Sequence, residues 1–220
     1  GTVTFEEIKR NEEIRTYMEK GNENLGVMGF TEHAMAHAMR SAYTASDILE
    51  KLGYGEREIE LAKIAGYMHD IGNLVNRSNH SLTGAVMAFR ILDRMNFSPE
   101  EIATIVTAIG NHDEGTGIPV NAVAAALIIG DKSDVRRSRV RDRNTVSTDI
   151  HDRVNYSVTG SQVSVDVEEK TMMLALTVDT EVSSVMEYFE IFMKRMLLCR
   201  KSAETLGLSF RLEINGQKLV

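Results

Sequence analysis

Apolar positions along the first 150 residues recur every three or four places, the spacing that gathers them on one face of a helix. Thr4 with Glu7 has the form of a capping box, and the pattern after it predicts a polar helix to about Lys20, followed by a loop from Gly21 to Gly29. Thr31 can cap a long helix carrying Ala34, Met35, Met39, Ala42, Ile48 and Leu49, with a stop at Gly53. Glu56 to about Asp70 repeats the helical spacing through Ile59, Leu61, Ile64, Ala65 and Met68, and Ser81 to Met95 does so through Val86, Phe89, Ile91 and Leu92. Ser98-Pro99-Glu100-Glu101 combines a capping hydroxyl, a proline in the first turn and two acids at the positive end of the helix dipole. The helix it opens carries Ile102, Ile105, Val106 and Ile109 and stops at Gly110. From Asn121 to Asp131 nearly every residue is apolar, which predicts a buried helix.

Beyond about residue 150 the period falls to two. Val154, Tyr156 and Val158 alternate with other residues, as do Val163, Val165 and Val167, and then Met172, Leu174, Leu176 and Val178. These runs predict three antiparallel strands, with turns at Gly160 and at Glu169-Lys170. Glu181 to about Leu206 returns to helical spacing, and Leu208 to Ile214 alternates again before the hairpin-type pair Asn215-Gly216. The expected class is mainly α, with a helical domain over residues 2–150 and a β-β-β-α-β appendage over residues 151–220. No repeat or flexible linker separates the two, so the appendage is expected to pack directly on the helices.

Composition narrows the function classes. The 220 residues are 43% hydrophobic and 26% charged with two prolines, which permits a sizeable core and excludes wholesale disorder. A net charge of -7 argues against a general nucleic-acid-binding surface. The single cysteine, Cys199, excludes an intramolecular disulfide and a thiolate zinc site. No apolar run reaches the length of a membrane span, and no basic segment leads into an apolar one near residue 1, so a cytoplasmic protein without membrane contact is expected.

Candidate chemistry centres on the adjacent pair His69-Asp70. Neighbours on a helix point about 100° apart, so the pair can grip one object only if that object lies beside the helix and other helices close around it. A divalent metal is such an object, and a mixed His and Asp set suits Fe, Mn, Zn or Ni. Around the pair in sequence stand His37, His80, His112 and Asp131. Asp131 ends a run too apolar to hold an isolated charge, and a metal, Lys132 or a nearby Arg would each answer that need. His33 precedes His37 by one helical turn and could reach the same site as a substrate contact, whereas His151 reads as structural. Residues 132–143 hold Lys132, Arg136, Arg137, Arg139, Arg141 and Arg143, the one basic concentration of an acidic chain. It reads equally as a phosphate-binding segment or as a solvated loop, with Lys132 and Arg136 or Arg137 nearest Asp131 and Arg77 able to approach from another loop.

The stretches His37-Ala-Met-Arg-Ser-Ala, Ala65-Gly-Tyr-Met-His-Asp-Ile-Gly and Ile129-Gly-Asp131-Lys132, in that order, resemble the H…HD…D signature of the HD superfamily of metal-dependent phosphohydrolases. The resemblance covers roughly residues 25–145. Asn79-His80-Ser-Leu-Thr-Gly and Asn111-His112-Asp-Glu-Gly are similar to the two extra histidine segments of its dinuclear branches, and the spacing is most similar to that of bacterial diadenosine-tetraphosphate hydrolases. The resemblance implies an HD-type helical bundle with one metal on His37, His69, Asp70 and Asp131 and a second on His80 and His112, Asp70 bridging them. It implies two divalent transition metal ions, Fe or Mn ahead of Zn, Ni or Mg. A mononuclear site with His80 and His112 on the substrate is the alternative. Many relatives carry Lys where this chain has Asn73, which leaves a phosphate contact at that point unsupplied.

The reading that follows is hydrolysis of a phosphate ester or anhydride in a small phosphorylated substrate, with a nucleotide expected. A metal-activated hydroxide would attack, Asp70 would orient it, and Lys132 or an Arg would stabilise the developing charge. Asp113, Glu114 and His33 are the candidates for the leaving-group acid. Two rivals share the ligand set: a mixed-valence di-iron oxygenase and a non-catalytic nucleotide-binding regulator. For the appendage, a homodimer interface is the favoured role over a lid or a regulatory module.

Overall fold

Helical spacing in the first part of the chain becomes seven helices in a computed structural model, which describes residues 2–29, 34–135 and 149–220. They are α1 (Phe5–Arg10), α2 (Glu12–Val27), α3 (Ala34–Lys51), α4 (Glu56–Met68), α5 (His80–Arg94), α6 (Pro99–Gly110) and α7 (Ala122–Lys132), with a 3-10 turn at Ile71–Leu74. The Thr4–Glu7 capping box forms as expected. The single helix expected to run on to Lys20 is instead two. Asn11 leaves the helical conformation at ψ 118, and its side chain accepts the Ile14 N–H at 3.0 Å, ending α1 and capping α2. The stretch from Gly21, expected to be loop, continues α2 to Val27. A Cβ at Gly21 would stand 3.0 Å from the Leu74 nitrogen, so glycine lets α2 lie close on the 3-10 turn, and that packing outweighs its weak helix propensity. The predicted cap Thr31 lies outside the described residues.

Ile8, Ile14, Leu49, Ile64, Met68, Leu92, Ile105, Ile109 and Leu127 meet in one core, with α3 packed on both α4 and α7. Each such side chain contributes roughly 1.5–3 kcal/mol by leaving water. α7 is buried on all sides from Val123 to Lys132, as its uninterrupted apolar sequence requires.

The appendage departs from expectation at its start. Residues Ile150–Ser157 form a helix, α8, not a strand. Asp149 accepts the N–H groups of His151 and Asp152 and caps it, and Val154 and Val158 stand four apart, a spacing that serves a helical face as well as an alternating strand. β1 (Val158–Asp166) runs through Gly160, where the register slips and no turn forms. The turn at Glu169-Lys170 is present, with Lys170 at φ 53, and leads to β2 (Thr171–Val178). The helix expected after Glu181 is α9 (Val185–Thr205), opened by a capping box from Ser184 to Glu187. β3 (Ser209–Ile214) pairs parallel with β2 because α9 carries the chain back across the sheet. Asn215 and Gly216, at φ 52 and 81, turn into a short fourth strand, β4 (Gln217–Lys218). The order past residue 149 is therefore α-β-β-α-β-β in place of β-β-β-α-β.

Ile48, Ile129 and Val135 from the helical part share a second core with Val154, Leu174, Tyr188, Phe192 and Leu212. Ser161 of β1 donates to the Ser133 carbonyl at 2.6 Å, and Arg40 donates to the Ser161 carbonyl. The appendage thus packs directly on the helices, with α9 along α7. No described helix is long and apolar enough to cross a membrane.

Candidate metal centre

Four buried histidines converge because five elements end or begin at one place. His37 stands in the first turn of the described part of α3, and His69 is the C-terminal cap of α4. Asp70 follows at φ -98 and ψ 10, outside the helix, so the neighbouring side chains are turned toward a common point by the chain reversal. His80 opens α5 after the left-handed Asn79, His112 follows the cap of α6, and Asp131 lies in the last turn of α7. A Cβ at Gly72 would stand 2.1 Å from the His80 carbonyl oxygen, so only glycine lets the turn after Asp70 pass beneath the start of α5.

Each ring has one nitrogen committed outward. Nδ1 of His69 donates to the Gly66 carbonyl at 2.6 Å, that of His80 to the Arg77 carbonyl at 3.0 Å, and that of His112 to the Ile109 carbonyl at 2.6 Å. A carbonyl can only accept, so each of these Nδ1 atoms carries a proton and each ring turns its Nε2 inward. Nδ1 of His37 faces the fully buried Asp134 at 2.8 Å, a carboxylate that orients the ring from behind.

The inward atoms form two groups sharing Asp70. In the first, His37 Nε2 lies 2.8 Å from Asp131 Oδ1 and 3.6 Å from Asp70 Oδ2, and His69 Nε2 lies 3.2 Å from each of the same oxygens. In the second, Asp70 Oδ1 lies 3.1 Å from His80 Nε2 and 3.5 Å from His112 Nε2, and the two nitrogens are 3.0 Å apart. Both groups, His37-His69-Asp70-Asp131 and Asp70-His80-His112, have the donor set and spacing to hold a metal ion. Donor atoms about 2.1 Å from one cation stand about 3.0–3.4 Å apart, the edge of an octahedron or tetrahedron. With Nδ1 of His80 and of His112 each given to a carbonyl, their Nε2 atoms meet at 3.0 Å, a contact that a shared proton or a shared cation satisfies.

Charge in the cluster is arranged around the carboxylates. Burial opposes the charged form of His69, yet the attraction of Asp70 and then Asp131 raises its pKa well above the ordinary imidazole value. Burial likewise opposes the charged carboxylates, but His69 holds Asp70 well below the usual range, and Lys132 with His69 does the same for Asp131. Burial lowers His112. The buried carboxylate of Asp131 and the partly exposed one of Asp70 therefore call for positive charge at this spot.

A cleft of about 630 Å³ opens on the second group, lined among others by His80, Arg77, Lys132, Asp113, Glu114 and Arg195. Lys132 is buried, 2.8 Å from Asp131 Oδ2 and 3.6 Å from Glu114 Oε1. Arg77 donates to Asn73 Oδ1 at 3.2 Å and approaches Asp70 at 3.7 Å, so positive charge reaches the Asn73 position from this neighbour. His33, Arg136 and Arg137 lie outside the described residues, and His151 is exposed. Sequence reading overlooked Asp134, which lies three positions after Asp131 and just past the end of α7, a usable signal, and Arg195, for which sequence offered none.

Comparison with known proteins adds three findings. The family profile described as HD domain matches residues 35–153. The uncharacterized protein MJ1020 of Methanocaldococcus jannaschii is 27% identical over 162 residues, 63% of this chain and 62% of that protein, so the chain spans less than two thirds of this relative. The crystal structure of a predicted HD superfamily hydrolase from an uncultured Thermotogales bacterium superposes with a TM-score of 0.43 at 23% identity, over 60% of this chain and 73% of that one.

Proposed function

Because this chain belongs to the HD domain family, we propose that it is a metal-dependent phosphohydrolase, cleaving a phosphate ester or anhydride of a small nucleotide. The observation that carries this reading is the Asp70 carboxylate, one oxygen in each of two donor groups, beside a cleft lined by Lys132 and Arg77. Its mixed nitrogen and oxygen donors suit two divalent transition metals, iron or manganese before the others. When bound, such ions supply Lewis acidity that makes a water nucleophilic near neutral pH and draws off charge from a phosphoryl oxygen.

The chain's own residues do the rest. His37, His69 and Asp131 would hold one ion and His80 with His112 the other, with Asp70 between them. Lys132, pinned by Asp131, donates to phosphoryl oxygens as their charge grows, and Arg77, which lines the same cleft, supports it. The cleft volume of about 630 Å³ falls in the range that takes a nucleotide-sized ligand.

The test is anaerobic phosphate release from a panel of nucleotides by manganese- or iron-loaded protein, with metals counted by elemental analysis. Two ions per chain and release without oxygen are expected, and one ion per chain for the double variant His80→Ala/His112→Ala. Substrate-dependent oxygen uptake with no phosphate release would overturn the reading. Asp134→Ala leaves His37 unoriented and is expected to weaken metal affinity about 10- to 100-fold in a chelator competition. Protons and cations compete for the imidazoles, and the neighbouring carboxylates raise the proton affinity of His69, so loading should rise with pH and fall as the solution is acidified. Loading that is flat from pH 5 to 8 would count against these ligands.

A further inference from the structure

At the mouth of the cleft one carboxylate stands between two cations from distant parts of the chain. Glu114 Oε1 accepts from Arg195 Nε at 2.6 Å and lies 3.6 Å from Lys132 Nζ. Arg195 comes from α9 of the appendage, and its guanidinium stacks over the Phe192 ring at 4.7 Å from the centroid, which sets the plane of the fork. Only Nε is used: among the described residues the two terminal nitrogens of Arg195 make no hydrogen bond. Both cations line the same cleft as His80 and Arg77.

We infer that Arg195 and Lys132 form a phosphate subsite which Glu114 fills with its own carboxylate until a phosphoryl group displaces it. Resting on the phosphohydrolase reading for its ligand chemistry, this assigns the appendage a place in substrate binding. Three features support it. A carboxylate held by two cations occupies the position an anion's oxygen would take. A phosphoryl group carries more charge and more acceptor oxygens than a carboxylate, so it can use the Arg195 nitrogens that Glu114 leaves idle. Glu114 is also easily released: its side chain is 31% exposed, in the connection between α6 and α7, and a partly exposed ion pair is weak.

The test is calorimetric titration of inorganic phosphate into manganese-loaded and metal-stripped protein, for the wild type and for Arg195→Met, Arg195→Lys and Glu114→Gln. Arg195→Met is expected to weaken phosphate binding about tenfold or more, and Arg195→Lys to fall between it and the wild type. Glu114→Gln removes the competing charge and is expected to tighten binding severalfold. Metal content should be the same in all four proteins. If Arg195→Met and Glu114→Gln weaken binding alike, the pair is only a strap between α9 and the loop, and the subsite is wrong. Unchanged affinity in both variants, or no phosphate binding by the wild type in either form, overturns it as well. Failure of the wild type to take up metal would strike the dinuclear reading instead, and the metal-stripped series would still decide the subsite.

Discussion

Replacing Asp70 with Asn is expected to cut turnover by about a thousandfold or more and to leave the protein folded. The carboxylate faces His69 with Oδ2 at 3.2 Å and His80 with Oδ1 at 3.1 Å, so each oxygen serves a different donor group. An amide keeps one acceptor oxygen and puts an NH2, which cannot bind a cation, in the other position. At least one donor group must therefore fail, whichever way the amide settles. A ligand that binds only the folded state stabilises it by about 4 kcal/mol at a thousandfold excess over Kd, so the wild type should melt higher with metal added. Asp70→Asn should lose most of that shift. Thermal melts with and without manganese, beside an anaerobic phosphate assay, check both halves. Normal turnover by this variant would dismiss the proposed centre outright.

Gly72→Ala should be the most damaging methyl group that could be added to the site. Its Cβ would stand 2.1 Å from the His80 oxygen, 2.7 Å from the Gly84 nitrogen and 3.0 Å from the His80 carbonyl carbon, all backbone atoms that no rotamer change can move. The turn and the start of α5 have to separate, at a cost of about 3 kcal/mol, or a fall of roughly 10 °C in Tm for a chain of this size. Because His80 opens α5, the same shift should drain metal from the group containing His80 and His112. Gly55→Ala is the matched control: nothing lies within 4 Å of its Cβ and its φ of -66 is ordinary. A loss within about 1 kcal/mol is expected there. Equal losses at the two glycines would show that the close approach at Gly72 is not what holds α5 in place.

Much of the architecture was legible because local rules and packing agree in this chain. The Ser98-Pro99-Glu100-Glu101 start and the apolar helix from Asn121 to Asp131 stand where sequence placed them. Reading failed where a local signal was ambiguous and a distant contact decided. Val154 and Val158 fit a strand and a helix equally, and the Asp149 cap tipped the balance. Gly21 reads as a helix breaker until the backbone of Leu74 is placed beside it.

Sequence alone put forward His37, His69-Asp70, His80, His112 and Asp131 as candidate ligands, since metal-ligand chemistry favours particular residue types and the structure brings these into two groups that could hold a metal ion. It also determined that the helical part needs a buried α7, because the eight consecutive apolar residues from Ala122 to Ile129 have no other stable place. Only the folded structure showed which nitrogen each histidine turns inward, with Nδ1 of His69, His80 and His112 held by the carbonyl three residues earlier and that of His37 by the distant Asp134. It alone showed that Asp70 divides its two oxygens between two groups, and that Asp134 stands behind His37. It alone brought Arg195 of α9 to Glu114, more than eighty positions earlier in the chain. Spacing along a chain reports neighbours on one element; which elements share a cleft is settled by the burial of their apolar faces, and that sum is taken over the whole fold.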